Sequence, residues 1–195
     1  FKKYNYDYLI LACGATHSYF GKNEWENFAP GMKTIEQATE IRRRVLTAFE
    51  LAEQEIDQNK VKSYLTFVVV GGGPTGVEIT GSLCEIAHFT LNKEFKNIDP
   101  KNTKIILIEA GNRILSAFSE KLSQQAIKDL KNIGATVKIN TRVNNITNEG
   151  VWIGEEFIPS KTVIWAAGVK PSETGKLLGT ELDPVGRVYI ESNLN

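Results

Sequence analysis

The stretch VVVGGGPTGVEITG, residues 68–81, decides the fold of this chain. A run of branched apolar residues leads into three consecutive glycines, and a segment with helical spacing begins after Pro74. Gly71, Gly73 and Gly76 have the spacing G-x-G-x-x-G. A strand, this tight turn and a helix in succession predict the beginning of a βαβ unit.

Each of the three glycines answers a different requirement. Gly71 permits the tight turn out of the strand, and Gly76 lets the helix pack closely against the strand. Gly73 has no side chain, so the pyrophosphate of a dinucleotide can approach the backbone there. The helix N-terminus adds free N–H groups and the positive end of its dipole. The stretch therefore predicts dinucleotide binding, and the alternative is a tight strand–helix turn without a ligand.

The rest of the chain alternates between strand and helix patterns. Apolar runs of strand length lie at residues 6–12, 66–70, 104–108, 135–139 and 162–166. Helical spacing covers residues 35–56, 75–91 and 119–132, with Thr34 and Gln37 as a capping box for the first helix and Leu122 facing inward in the last. Residues 16–34 are predicted to be a loop.

Three short alternating segments, residues 142–147, 150–153 and 156–158, interrupt the repeating pattern. They predict an antiparallel meander. Together the elements predict an α/β fold, a Rossmann-like three-layer parallel sheet with an antiparallel β-meander.

Glu109 follows the predicted strand 104–108, in the segment IILIEAG. It lies 33 residues after Gly76, which is more than the usual spacing of about 20, and a polar insertion at residues 88–103 explains the excess. A carboxylate there accepts hydrogen bonds from ribose hydroxyls and repels a 2′-phosphate, which favours NADH over NADPH. Arg113 is close enough in sequence to counter that preference. Alternatively, Glu109 only caps the next turn.

The composition excludes several kinds of function. Lys+Arg and Asp+Glu are equal at 23 each, whereas a nucleic-acid surface needs a basic excess. Cys13 and Cys84 form no CxxC motif and are predicted to be reduced core thiols. His17 and His88 are predicted to be surface or half-buried residues, and no catalytic triad or metal-ligand cluster is evident. We therefore predict no catalytic side chain and no metal site, and the hydride acceptor is expected to be another cofactor.

Six segments in this order resemble the type II NADH dehydrogenases: YDYLILACGA, IRRRVLTAFELAE, VVVGGGPTGVEITG, FTLNKEFKNIDP, KIILIEAGNRIL and TVIWAAGVKPS. These enzymes are NADH:quinone oxidoreductases that carry FAD, within the two-dinucleotide-binding flavoprotein superfamily. The resemblance implies an NADH-binding domain at residues 31–164. Residues 1–30 and 165–195 would be remnants of the split FAD-binding domain into which it is inserted.

The resemblance also implies roles for individual residues. Glu78 would hydrogen-bond the nicotinamide amide, although helix capping alone could explain a glutamate there. Glu109 would bind the adenosine ribose. The remaining implied residues are grouped by the part they would contact: Gly71, Gly73, Pro74, Thr75 and Gly76 the pyrophosphate, Ala167 and Gly168 the nicotinamide half, and Ala12, Cys13 and Gly14 the flavin.

The resemblance further implies that the chain is a soluble, inactive piece of a longer protein. That protein would use NADH, FAD and a quinone and would bind no nucleic acid. It would lie peripherally on the cytoplasmic side of a membrane, which it would reach only through a C-terminal segment outside this chain, and it could form a homodimer. The FAD phosphate motif would precede residue 1 and the ribityl motif would follow residue 195, so the piece is not expected to retain FAD. Two alternatives remain: a related FAD-dependent pyridine-nucleotide reductase with another acceptor, and a non-catalytic NAD-binding module.

Overall fold

The computed structural model describes residues 2–91 and 93–192. The chain forms two compact units: a central unit, Tyr19–Gly168, and a smaller unit made of the residues before Tyr19 and those after Gly168. The assignment of the outer segments to a flavin domain stays a prediction. Within the described residues, no helix is both long enough and apolar enough to cross a bilayer.

The strands are numbered in chain order. They are β1 (Ala15–His17), β2 (Thr66–Val70), β3 (Lys104–Ile108), β4 (Ala135–Lys138), β5 (Asn145–Thr147), β6 (Gly150–Ile153), β7 (Glu156–Pro159), β8 (Thr162–Trp165) and β9 (Val169–Pro171). The α-helices are α1 (Ile35–Gln54), α2 (Gln58–Tyr64), α3 (Pro74–Glu85) and α4 (Glu120–Asn132). Short 3₁₀ helices cover Asn23–Asn27, Pro100–Asn102 and Glu173–Leu178, and a π-helical turn covers Ile86–Thr90.

A four-stranded parallel sheet forms the centre of the larger unit, in the order β4-β3-β2-β8. Val70 is level with Ile108 on one side and with Trp165 on the other, so β2, β3 and β8 end at the same edge. Every residue of β2 is buried, as expected for a strand covered on both faces. The sheet confirms the predicted α/β fold class.

Successive side chains along the strands belong alternately to two separate apolar clusters, one on each face of the sheet. Phe67 and Val69 pack with the buried faces of α1, α3 and α4. Val68, Val70 and Trp165 pack on the opposite face with apolar residues of the meander. Because side chains alternate along a strand, one apolar run supplies both cores, which produces the three layers.

Strands β5, β6 and β7 form an antiparallel sheet in that order and confirm the predicted meander. Its inner side chains, Ile146, Val151 and Ile158, belong to the second core cluster.

Helix α1 begins with the predicted capping box. The Thr34 side chain accepts the backbone N–H of Gln37, and the Gln37 side chain accepts the backbone N–H of Thr34. The buried stripe of α1 is Ile41, Val45, Ala48, Phe49 and Ala52. The helix ends at Gln54, two residues before the predicted boundary.

The polar insertion contacts α1 through Glu53 and through Phe95, whose ring stacks on Phe49 with 5.9 Å between centroids. The carboxylate of Glu53 accepts the backbone N–H groups of Lys96, Asn97 and Ile98 at 2.9–3.2 Å.

The predicted helix over 75–91 is divided at Glu85, where α3 ends and a π-helical turn follows.

Residues 6–12, predicted to be a buried strand, have no regular structure, and the Tyr8 and Ile10 side chains are 92% and 89% exposed. Cys13 is exposed as well, so the prediction of a core thiol is wrong for it. A strand requires a neighbour for its backbone N–H and C=O groups, and no strand among the described residues pairs with 6–12. Cys84 is buried as predicted, and burial raises the pKa of its thiol to about 11.

Two smaller predictions are also wrong. The segment 16–34 contains the end of strand β1 and the 3₁₀ helix Asn23–Asn27 in addition to loop. Leu122 is 55% exposed, while its neighbour Ser123 is buried and donates its hydroxyl to the carbonyl of Ile114. A satisfied hydroxyl can therefore occupy the inner face in place of the leucine.

Candidate nucleotide site

The glycine turn leaves β2 at the carboxyl edge of the sheet. Gly71 has φ +112°, a left-handed conformation that side chains rarely adopt, and its N–H donates to the carbonyl of Ile108 at 2.8 Å. A Cβ on Gly71 would lie 2.6 Å from the backbone of Ala166 and Ala167. Both the conformation and the lack of space require glycine here.

Gly76 and Gly73 differ in what surrounds them. A Cβ on Gly76 would overlap the carbonyl oxygen of Gly71, so helix α3 packs directly on the turn. A Cβ on Gly73 would meet nothing within 4 Å. Packing therefore explains Gly71 and Gly76, whereas Gly73 faces open space into which a ligand can fit.

Helix α3 begins without a capping side chain. Gly73 is its N-cap residue and makes no side-chain hydrogen bond, and Pro74 occupies the first helical position. The N–H groups of Thr75 and Gly76 are among the first-turn donors that have no partner within a helix. Such an N-terminus binds an anion through these donors and the positive end of the dipole.

Glu109 lies directly beyond the end of β3 and contacts the glycine turn. Its Oε2 accepts the N–H of Gly72 at 2.6 Å, and its Oε1 accepts the N–H of Gly111 at 2.6 Å. The second bond is the turn-capping interaction that was the alternative explanation for this glutamate. Each carboxylate oxygen keeps a further lone pair, so capping leaves the carboxylate able to accept ligand hydroxyls.

Arg113 is directed into its own loop. Its guanidinium donates to the carbonyls of Ser116 at 2.7 Å and Phe118 at 2.9 Å. The arginine that sequence analysis set against Glu109 is therefore already bonded. Arg142, which follows β4 and was not singled out, lines the same cleft as Glu109.

A cleft of about 620 Å³ opens at the carboxyl edge of the sheet. It brings together four residues predicted from sequence: Gly71, Glu109, Ala167 and Gly168. Ligands of open α/β sheets bind outside the carboxyl ends of the strands. The cleft therefore has the location expected of a dinucleotide site.

Aromatic side chains from the segment 16–34 form one wall of this cleft. Tyr19 stacks on Trp165 with 5.0 Å between ring centroids, and its hydroxyl donates to the carbonyl of Ala29. Burial raises the pKa of Tyr19 to about 12. Trp25 contacts Trp165 edge-on and donates its indole N–H to Asn145. Sequence analysis missed this wall, although four aromatic residues in a supposed loop were a sign of packing.

Glu78 is not among the residues that line the cleft. Glu78 is exposed on α3 and lines a groove between α1 and α3 with Arg42 and Ile79. Ala12, Cys13 and Gly14 belong to the smaller unit and are exposed. Their contacts with nicotinamide or flavin stay predictions. A further cavity of about 520 Å³ lies at the amino ends of β2 and β3 and contains none of the predicted residues.

Comparison with known proteins agrees with this architecture. The model of the family described as pyridine nucleotide-disulphide oxidoreductase matches residues 2–195. The chain is 43% identical over 199 residues to the type II NADH:quinone oxidoreductase NdhA of Mycobacterium tuberculosis, covering 97% of this chain and 42% of that protein. The chain thus spans less than half of that curated relative.

Solved structures give the same result. The chain is similar to NDH2 from Plasmodium falciparum, whose structure was determined in complex with NADH, with 30% identity and a TM-score of 0.78. The match covers 86% of this chain and 35% of that one. A NAD-dependent persulfide reductase from A. fulgidus is 23% identical with a TM-score of 0.66, covers 96% of this chain and 30% of that one, and shares the fold. The resemblance noted from the sequence is confirmed, and the chain belongs to the pyridine nucleotide-disulphide oxidoreductase family.

Proposed function

We propose that this chain is the NADH-binding portion of a flavin-dependent type II NADH:quinone oxidoreductase. One observation carries the proposal: an uncapped helix N-terminus with open space at Gly73 stands beside the fixed carboxylate of Glu109. The first feature suits a pyrophosphate and the second suits a ribose. The 43% identity to a type II enzyme supports the choice of reaction.

NADH is expected to lie across the carboxyl edge of the sheet. Its pyrophosphate accepts N–H groups of the glycine turn and of the first turn of α3. Its adenosine ribose donates to Glu109. Its nicotinamide half extends toward Ala167 and Gly168 on the β8 side. The chain's contribution to the reaction is then to bind and orient the nicotinamide for hydride transfer.

The arrangement of charges supports NADH over NADPH. Glu109 is fixed by two backbone N–H groups, so it cannot easily turn away from a 2′-phosphate. The guanidinium of Arg113 is held against its own loop by its bonds to the carbonyls of Ser116 and Phe118. Repulsion by the carboxylate is thus the dominant effect expected at the 2′ position.

FAD, when bound, supplies the hydride acceptor in this class of enzyme. The described residues contain one G-x-G-x-x-G turn, and NADH occupies it in this proposal. They therefore provide no second phosphate site of that kind for a flavin. We assign the flavin site to the rest of the longer protein, with Ala12, Cys13 and Gly14 beside it.

For the whole protein we propose a quinone acceptor, a peripheral position at the cytoplasmic face of a membrane, and a homodimer. The name of the mycobacterial relative supports the quinone. A related reductase with another acceptor shares the fold, but the persulfide reductase is only 23% identical.

Two measurements test the proposal. Calorimetric titration of the chain with NADH and NADPH should show binding of NADH and weaker binding of NADPH. The full-length protein, purified with FAD, should oxidise NADH when given a short-chain quinone. Absence of NADH binding would contradict the site. Binding without quinone reduction, combined with reduction of a ferredoxin or a disulfide, would favour the related reductase.

A further inference from the structure

The cleft contains an arginine for which the proposed function has so far no role. Arg142 is exposed, lines the cleft together with Glu109, and follows β4 in the sequence. Among residues 2–91 and 93–192 its guanidinium has no ion-pair or hydrogen-bond partner. A long cationic side chain in a ligand cleft, without an internal partner, is available to a ligand.

Four of the other five arginines are bonded within the protein, and the fifth, Arg42, is exposed in the groove between α1 and α3 and does not line this cleft. Arg43 and Arg44 pair with Glu40, and Arg187 pairs with Asp183. Arg113 donates to carbonyls of its own loop. Among the described residues, Arg142 is thus the arginine that lines the cleft, and its guanidinium is not used by a bond within the protein.

Backbone hydrogen bonds hold the two residues that precede Arg142 against the end of β3. The N–H of Thr141 donates to the carbonyl of Glu109 at 2.9 Å, and the N–H of Asn140 donates to the carbonyl of Gly111 at 2.8 Å. The residue before Arg142 is thus attached to the turn that holds the ribose-binding carboxylate. These two backbone hydrogen bonds set the position of the Arg142 backbone relative to that carboxylate.

We propose that Arg142 binds the adenine base of NADH by laying its guanidinium plane against the ring. The inference rests on the proposed function. With the pyrophosphate at the end of β2 and the ribose at the end of β3, the base must continue outward. The next strand in that direction is β4, which precedes Arg142.

The chemistry of the side chain favours the base over a phosphate. A guanidinium is planar and weakly hydrated, and it stacks on aromatic faces better than an ammonium does. Adenine is neutral, so the nearby carboxylate of Glu109 does not oppose it. A 2′-phosphate would lie against that carboxylate and be repelled.

The test compares two ligands and three variants. NADH contains the adenine, whereas reduced nicotinamide mononucleotide lacks it. Arg142→Ala removes the plane and the charge, Arg142→Lys keeps the charge, and Arg43→Ala removes an exposed arginine of α1 outside the cleft. Binding is followed by the fluorescence of the reduced nicotinamide.

We expect Arg142→Ala to weaken NADH binding roughly 3- to 30-fold, which is the range of a guanidinium–aromatic contact. Arg142→Lys should recover only part of the loss. Arg43→Ala should bind NADH as the wild type does. Binding of the mononucleotide should be the same in wild type and Arg142→Ala, and the ratio of NADH to NADPH affinity should not change.

Three results would overturn the inference. Unchanged NADH binding in Arg142→Ala would show that the arginine does not contact the nucleotide. Full recovery in Arg142→Lys would assign the effect to charge alone. A selective loss of NADPH binding would make Arg142 a phosphate ligand. If the wild type binds no NADH, the proposed function itself fails; if the wild type and Arg142→Ala bind NADH equally well, only this inference fails.

Discussion

The carboxylate of Glu109 joins two turns of the sheet edge, accepting the N–H of Gly72 through one oxygen and that of Gly111 through the other, each at 2.6 Å. The side chain is therefore oriented before any ligand arrives. A preoriented acceptor binds a ribose without first losing side-chain freedom. This relationship leads to the first prediction.

Glu109→Gln should weaken NADH binding and reduce the preference for NADH over NADPH. An amide offers only one acceptor oxygen and no charge, and hydrogen bonds to a charged group contribute about 1.5–3 kcal/mol. We expect NADH affinity to fall roughly 10- to 100-fold. Glu155→Gln, an exposed change in the β6–β7 turn, is the control. Calorimetry with both nucleotides checks this, and equal affinity of the wild type for NADH and NADPH would refute the role of Glu109.

Gly73→Val should abolish NADH binding without destabilising the fold, because a Cβ at this position meets nothing within 4 Å. Gly81→Val is the matched control, since it lies on the same helix and also meets nothing within 4 Å. Thermal melts with and without millimolar NADH distinguish them. Ligand at a hundredfold excess over Kd raises the free energy of unfolding by about 2.7 kcal/mol. NADH should therefore raise the melting temperature of wild type and Gly81→Val but not that of Gly73→Val. A full shift in Gly73→Val would mean that the pyrophosphate lies elsewhere.

The attachment of the insertion to α1 should depend on pH through Glu53. Desolvation acts to raise the pKa of Glu53, but three backbone N–H groups and the charge of Lys96 outweigh it and lower the pKa. A lowered pKa means that the carboxylate's contribution to the attachment is complete above the ordinary glutamate pKa and is lost as the pH falls through the lowered value. Hydrogen exchange at Asn97 and Ile98 should therefore accelerate, relative to the intrinsic rate, only in acid.

Glu53→Gln should show the same acceleration already at neutral pH. Glu50→Gln, an exposed change on the same helix, should leave the exchange unchanged. Identical protection of the insertion in all three proteins would show that the carboxylate does not hold it.

Gly134→Ala should destabilise the central unit by about 1–3 kcal/mol, from backbone strain and overpacking together. Gly134 has φ +100°, and a Cβ there would lie 2.6 Å from Cε1 of His88. That imidazole cannot withdraw easily, because its nitrogens contact the carbonyls of Ile133 at 3.0 Å and Thr103 at 3.3 Å. Gly154→Ala has a left-handed φ of +57° with open space, so it reports strain alone. The free energy of unfolding is measured by urea denaturation. An equal decrease in both variants would show that the clash with His88 contributes nothing.

Local signals in the sequence were sufficient for the central strands and the longer helices of the central unit, whereas the short helix α2 was not predicted. Strand β2 and strand β3 have the predicted boundaries, since a short run of branched apolar residues ending in glycine or a polar turn suits little else. The capping box of Thr34 and Gln37 was predictable because its partners are three residues apart. The glycine spacing likewise specified the turn, because left-handed φ and close packing are properties of single positions.

Long-range packing decided what the sequence left ambiguous. Residues 6–12 have the same apolar character as β2, but a strand forms only where a neighbour accepts its hydrogen bonds, and Cys13 is exposed with them. Arg113 is closer to Glu109 in sequence than Arg142 is, yet it bonds its own loop, while the backbone pairing of Asn140 with Gly111 brings Arg142 to the cleft. Sequence distance determines which residues can contact each other through the local backbone. The pairing of strand ends across the sheet determines which side chains share a cleft, and that depends on tertiary structure alone.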